Sequence, residues 1–264
     1  MSYKAINNKQ FKFNFHLLLQ KNNTQQKTIL KIIAIFEKNF FMETCTIISV
    51  LPAPIVAVAL YSLLRYKYPK GKFALVHKTF LLGFLGVLFV FMADKIIAYL
   101  QLDSLHSLNR TLFYAFVLTA GVFEFWKYLI LRLFVYPSKL VVKTFDVIVY
   151  SIFIAAGFTF GFSVYSLYFP PSFVDVCFNA LTSGPVFLTI SIIMGYFVGI
   201  SLKRDNPSID HMTGLLLAVV FQGINRFCLL THDTVLHYLT LAGMFVIALT
   251  FLIISLRERP DDSH

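Results

Sequence analysis

The sequence predicts an all-α, polytopic transmembrane bundle of about seven spans, and three observations carry that prediction. The chain is 58% hydrophobic and only 14% charged, against roughly 45–50% apolar and about 25% charged in soluble domains, so a water-facing surface could not be built from it. Apolar runs of spanning length follow one another through most of its 264 residues, leaving no room for a separate soluble domain. Lysine and arginine concentrate in alternate connections, the pattern that orients helices in a bilayer.

In chain order the runs lie near 46–66, 77–100, 111–134, 145–168, 174–201, 212–230 and 235–256. Each is close to the ~20 residues that a helical crossing needs. They lack the period-two alternation of barrel strands, and backbone amides in hydrocarbon must be satisfied within their own segment, so helices are the expected form.

The connections fix a direction. Arg65, Lys67, Lys70, Lys72 and Lys78 surround the first connection, Arg132, Lys139 and Lys143 the third, Lys203 and Arg204 the fifth, and Arg257 and Arg259 follow the last span. The opposite connections, 101–110, 169–173 and 231–234, hold only Arg110. Short loops rich in Lys and Arg stay cytoplasmic, so the first span is expected to start outside and the C-terminus to lie inside, a parity that suits seven spans.

Residues 1–41 pull the other way, because Lys4, Lys9, Lys12, Lys21, Lys27, Lys31 and Lys38 favour an inside N-terminus. The apolar stretch Ile29 to Phe36 is interrupted by Lys31 and followed by Glu37 and Lys38, too short and too charged to span. Residues 1–41 are therefore read as a basic extension, with Met42 as the expected start of the protein and 42–264 as the transmembrane domain; a basic segment lying on the bilayer surface is the alternative. No small-residue cleavage site follows a clean apolar core, which argues against a signal peptide.

The formal charge of +10 is topological, since the basic residues form no stripe, and nucleic acid is not an expected partner. Cys45, Cys177 and Cys228 are too scattered for a disulfide framework or a thiolate metal site. None of the seven histidines lies near the centre of a span: His211 falls toward the inner side, His232 and His237 toward the outer. About three ligands would have to converge for catalytic zinc, so no metal and no other cofactor is expected. GxSxG, P-loop and GxGxxG motifs are absent, and the last span has no lysine for a retinal-type Schiff base.

Ionisable residues inside spans are costly and mark candidate sites. They are Asp94, Lys95, Glu124, Lys127 and Arg226. Glu124 and Lys127 are three residues apart on the third span, so both lie on one helical face and can pair, with Arg226 as the other potential partner of Glu124. A structural ion pair is the plain account of this group, and the remnant of an acid–base site the sharper one. Asp94 and Lys95 lie toward the outer end of the second span, where their side chains are expected to snorkel to the interface.

From about Met42 onward the chain resembles the PrsW intramembrane proteases, within the CAAX-protease-like clan. The likeness begins with Ala53-Pro54 and the run Arg65-Tyr66-Lys67-Tyr68-Pro69, similar to that family's first cytoplasmic loop. Phe123-Glu124-Phe125-Trp126-Lys127 falls where the family has EExxK, and Phe145-Asp146-Val147-Ile148-Val149-Tyr150 followed by Ala156-Gly157-Phe158 is similar to its D-G-I-V-Y-G run and GFAxxEN. Ile193-Met194-Gly195-Tyr196 resembles the end of its fifth span, and Gln222-Gly223-Ile224-Asn225-Arg226-Phe227 sits where the family has HG followed by Asn or Asp.

That resemblance implies a hydrolase of the bacterial cytoplasmic membrane that cuts membrane-bound anti-sigma factors, and it also shows what this chain lacks. Only Glu124 and Lys127 match the catalytic motif; Phe123, Phe162, Phe187 and Gln222, with Arg226, stand at the other site positions. A general base needs a water within reach and an oxyanion needs donors aimed at the same point, whereas phenylalanines fill that space. The expected function is thus that of a degenerate relative, a pseudoenzyme that binds membrane-embedded protein segments within the lipid bilayer. An active peptidase with an altered site built on Glu124, and a small-molecule transporter or channel, are the alternatives.

Overall fold

In a computed structural model the described residues form six helices long and apolar enough to cross a membrane. The structure describes residues 52–67, 74–102, 107–168 and 173–257. Residues 1–41, Cys45, the start of the predicted first span, Lys70, Lys72 and Arg259 lie outside them. Among the described residues there is no strand. The helices are α1 (Pro52–Lys67), α2 (Ala74–Tyr99), α3 (Leu108–Val135), α4 (Thr144–Tyr168), α5 (Phe173–Ile200), α6 (Pro207–Thr231) and α7 (Thr234–Arg257). This is a multi-pass helical membrane protein, with α2 to α7 as the candidate spans among the described residues. The described 16 residues of α1 reach only about 24 Å at 1.5 Å per residue, short of a ~30 Å hydrocarbon core.

Two spans begin earlier than hydropathy alone suggests. α3 starts at Leu108 because the Ser107 side chain accepts a hydrogen bond from the Arg110 amide, a cap on the first turn. α6 starts at Pro207, a residue preorganised for a first helical turn, and takes in Asp210 and His211, both of which are buried with partners from elsewhere in the fold. Between α6 and α7 the chain turns on two residues. His232 adopts a left-handed conformation (φ 56°) and closes the end of α6, while Asp233 Oδ1 accepts from the Leu236 amide to open α7.

α3 is not a regular α-helix. Tyr114–Gly121 and Leu131–Val135 are π-helical, and the α-helical stretch Val122–Ile130 between them carries Phe123, Glu124, Lys127 and Ile130 on its buried side. Wide π turns are uncommon and often accompany functional positions. Here they flank the only stretch of α3 that carries both signs of charge into the core.

The bundle is built around α4, which packs against α1, α2, α3, α5 and α7. Of its apolar span 78% is buried, against 22% for α2 and 17% for α7, so those two helices present most of their surface to lipid. Lipid tails are as apolar as leucine, so spans associate through close packing at small residues. A Cβ on Gly83 of α2 would run into the Ile154 backbone carbonyl of α4, and one on Gly157 would strike the Phe80 carbonyl, so the two backbones touch there. On the other side of α4, Gly195 and Gly199 of α5 lie against Ser151 and Thr144.

Gly157→Val is expected to lower thermal stability in detergent by at least ~2–3 kcal/mol, since rigid backbone rather than a movable side chain blocks the new atoms. Gly243→Ala, where a Cβ meets nothing within 4 Å, is expected to be neutral or to stabilise α7 by up to about 1 kcal/mol. Comparable losses at both positions would refute the close-contact role of Gly157.

Candidate functional site

Glu124 and Lys127 meet in the middle of the bundle, with Lys127 Nζ 2.6 Å from Glu124 Oε1 and both residues fully buried. The i, i+3 spacing within the α-helical stretch of α3 delivers the two side chains to the same place. The pair is tied to the neighbouring helices through serines. Lys127 Nζ lies 3.5 Å from Ser191 Oγ on α5, and the Ser151 hydroxyl on α4 donates to the Ser191 carbonyl. Glu124 Oε2 has no hydrogen-bond partner among the described residues.

Four phenylalanines cover this pair. Phe123 of α3, Phe158 and Phe162 of α4 and Phe187 of α5 touch one another with ring centroids 5.3 to 6.5 Å apart. Lys127 Nζ lies 5.1 Å from the Phe187 centroid and 5.8 Å from that of Phe158, within range of a cation–π attraction. Phe123, Phe162 and Phe187 were singled out from the sequence and are brought together here. Phe158, which completes the cluster, entered only as a motif anchor.

Gln222 is buried on α6, and its neighbour Gly223 abuts the Phe116 ring, about two helical turns along α3 from Glu124. Gln222 Oε1, Asn225 Oδ1 and Arg226 Nε have no hydrogen-bond partner among the described residues. The charge of Glu124 is met by Lys127 rather than by Arg226. Asp94 Oδ2 accepts a hydrogen bond from Tyr165 Oη at 2.9 Å, which ties it to α4. Lys95 is exposed, with its ammonium 5.3 Å from the Phe91 ring centroid.

A second polar cluster joins the ends of α3, α5 and α6. His211 is buried, its ring edge-on to Tyr136 at 4.7 Å; Arg132 Nη1 lies 2.8 Å from its Nδ1 and Ser201 Oγ lies 2.8 Å from its Nε2. A guanidinium only donates, so Nδ1 must accept and Nε2 must carry the proton. Ser201 then accepts from the imidazole and donates to the Val198 carbonyl at 2.7 Å. That polarity is opposite to a catalytic Ser–His dyad, in which the imidazole accepts the serine proton. Ser201 is held as a structural link rather than activated as a nucleophile.

Among the described residues no three His, Cys, Asp or Glu side chains converge as a metal site. The comparisons with known proteins give no family by which to name the chain: no family model, no curated protein and no solved structure matches it. Its class, a helical multi-pass membrane protein, therefore rests on its own fold. Ser151, Ser191, Ser201 and Tyr165 were not anticipated as site residues; each is a single hydroxyl in an apolar run, and only the packing of helices gives it a partner.

Lys127→Met alone is expected to cost about 3–5 kcal/mol of stability by stranding Glu124 in a dry core, whereas Glu124→Leu with Lys127→Met is expected to melt close to the parent. Thermal unfolding of the four-member cycle measures the coupling; additive losses would mean the pair is not a closed unit. At the second cluster, His211→Gln keeps an acceptor and a donor and is expected to melt within about 1 kcal/mol of the parent, while His211→Leu is expected to lose ~1–3 kcal/mol. Equal melting of the two variants would remove the network from the account.

Proposed function

We propose that this protein is a pseudoenzyme of PrsW type, a multi-pass membrane protein whose hydrolytic centre has been closed by aromatic packing and which acts by binding other membrane-embedded protein segments. The observation that carries this reading is the phenylalanine cluster over the Glu124–Lys127 pair. Hydrolysis needs a water between a carboxylate and a scissile carbonyl, with donors aimed at the developing oxyanion. Around Lys127 the neighbouring volume is filled instead by the rings of Phe158 and Phe187. A transporter or channel would need polar lining at the same depth, where this chain has phenyl rings.

The binding role is supported by what the bundle leaves uncovered. α2 and α7 bury little of their apolar spans and carry exposed large side chains, among them Leu85 and Met92 on α2 and Phe245 and Leu249 on α7. We place the protein in a bacterial cytoplasmic membrane, as the PrsW resemblance implies, with Lys139, Lys143, Lys203, Arg204 and Arg257 on the cytoplasmic side, an orientation that follows the basic residues.

Photo-crosslinking residues at Leu85 and Phe245, in protein co-reconstituted with single-span polypeptides, are expected to capture partners of intact length. Glu124→Ala is expected to change neither the capture nor the length of the partner. Cleavage that depends on Glu124 would overturn the pseudoenzyme reading in favour of an altered peptidase, and uptake of small solutes without capture would favour a transporter.

A further inference from the structure

The turn between α5 and α6 holds a cavity of about 400 Å³ lined by Lys203, Arg204, Asp205, Asn206, Ile209 and Asp210. That volume lies near the lower end of the ~300–1,000 Å³ typical of small-ligand pockets. Asp210 is 4% exposed. Its Oδ1 accepts from Arg204 Nη1 at 2.9 Å, and its Oδ2 has no hydrogen-bond partner among the described residues. A carboxylate oxygen buried without a donor is costly and calls for an N–H or O–H group. Arg204 is the outer half of this pair, with its side chain 59% exposed, so its remaining N–H groups are available to an anion. The open depression therefore offers a cation, Arg204, beside an acceptor, Asp210.

We infer that this cavity binds the headgroup of an amine-bearing zwitterionic phospholipid, with the phosphate on Arg204 and the primary ammonium donating to Asp210. The location favours a lipid over a free metabolite. Residues 203–206 link two membrane spans and so lie where headgroups lie, and Ile209, 64% exposed beside the polar groups, suits the glycerol and upper acyl region. Opposite charges arranged side by side match a zwitterion, whereas a purely anionic headgroup would leave the carboxylate unpartnered and set it against like charge.

The test uses the full chain in nanodiscs and native mass spectrometry of retained lipid, across phosphatidylethanolamine, its N-monomethyl and N,N-dimethyl forms, phosphatidylcholine and phosphatidylglycerol with identical acyl chains. Retention is expected to hold while an N–H remains and to fall about tenfold at phosphatidylcholine, the size of one lost charge-assisted hydrogen bond. Asp210→Asn, which removes the charge but keeps the shape, is expected to erase the preference, and Arg204→Ala to weaken retention of every member. Soluble phosphoethanolamine at millimolar concentration is expected to displace the lipid more effectively than soluble phosphocholine. Equal retention of the ethanolamine and choline lipids by the unmutated protein would overturn the proposal without any variant having to fold. Stronger retention of phosphatidylglycerol would also overturn it, by showing that only the cation is read.

Discussion

A carboxylate and an ammonium shut away from water set the terms for the core of this bundle. Separated, either Glu124 or Lys127 would be a bare ion in a medium where isolated charge costs several kcal/mol, a large share of the stability of a folded domain. Paired at 2.6 Å, they still need their remaining donors and acceptors met, and the helices around them are shaped by that need. Ser191 on α5 stands within reach of the ammonium, Ser151 on α4 braces the Ser191 carbonyl, and glycines on α2 and α5 let both helices come close enough to α4 to seal the site. The π turns on either side of Val122–Ile130 fall at the boundaries of this segment, so the irregular part of α3 and its charged part are adjacent.

Long apolar helices were legible from the sequence because hydropathy is a local property, and α2 to α7 all coincide with predicted runs. What was not legible depends on a partner from another helix. Asp210 and His211 look like residues before a span, since nothing in the local sequence shows Arg204 folding back on one, or Arg132 and Ser201 reaching the other. The partner of Asp94, Tyr165, lies 71 positions away in the chain and could not be named from the sequence around it. The error has one direction: a polar residue in an apolar context is assigned to the surface unless its distant partner is known.

The candidate site divides along the same line. Glu124 and Lys127 could be paired from spacing alone, because i, i+3 residues on a helix are neighbours whatever the fold. Arg226 was the other potential partner of Glu124 as far as the sequence shows, and packing gives Glu124 to Lys127. The phenylalanines could be named as replacements but not counted as a cluster. Their contacts join α3, α4 and α5, and Phe158 becomes a member only when α4 is set between the other two.

Phenylalanine at these positions does more than fill volume. Leucine or methionine would exclude water as well, but neither presents a negative face to an ammonium, and the rings of Phe158 and Phe187 both lie within about 6 Å of Lys127. An aromatic lid therefore reconciles two demands that conflict in an aliphatic core: it keeps the pair dry, and it offsets part of the desolvation of the cation. A hydrolytic centre has the opposite requirement, since its water must enter and its charges must stay available to the substrate. Once aromatic faces rather than water solvate the ammonium, admitting water would remove the environment on which the ion pair depends, and that coupling gives the packed arrangement a stability of its own.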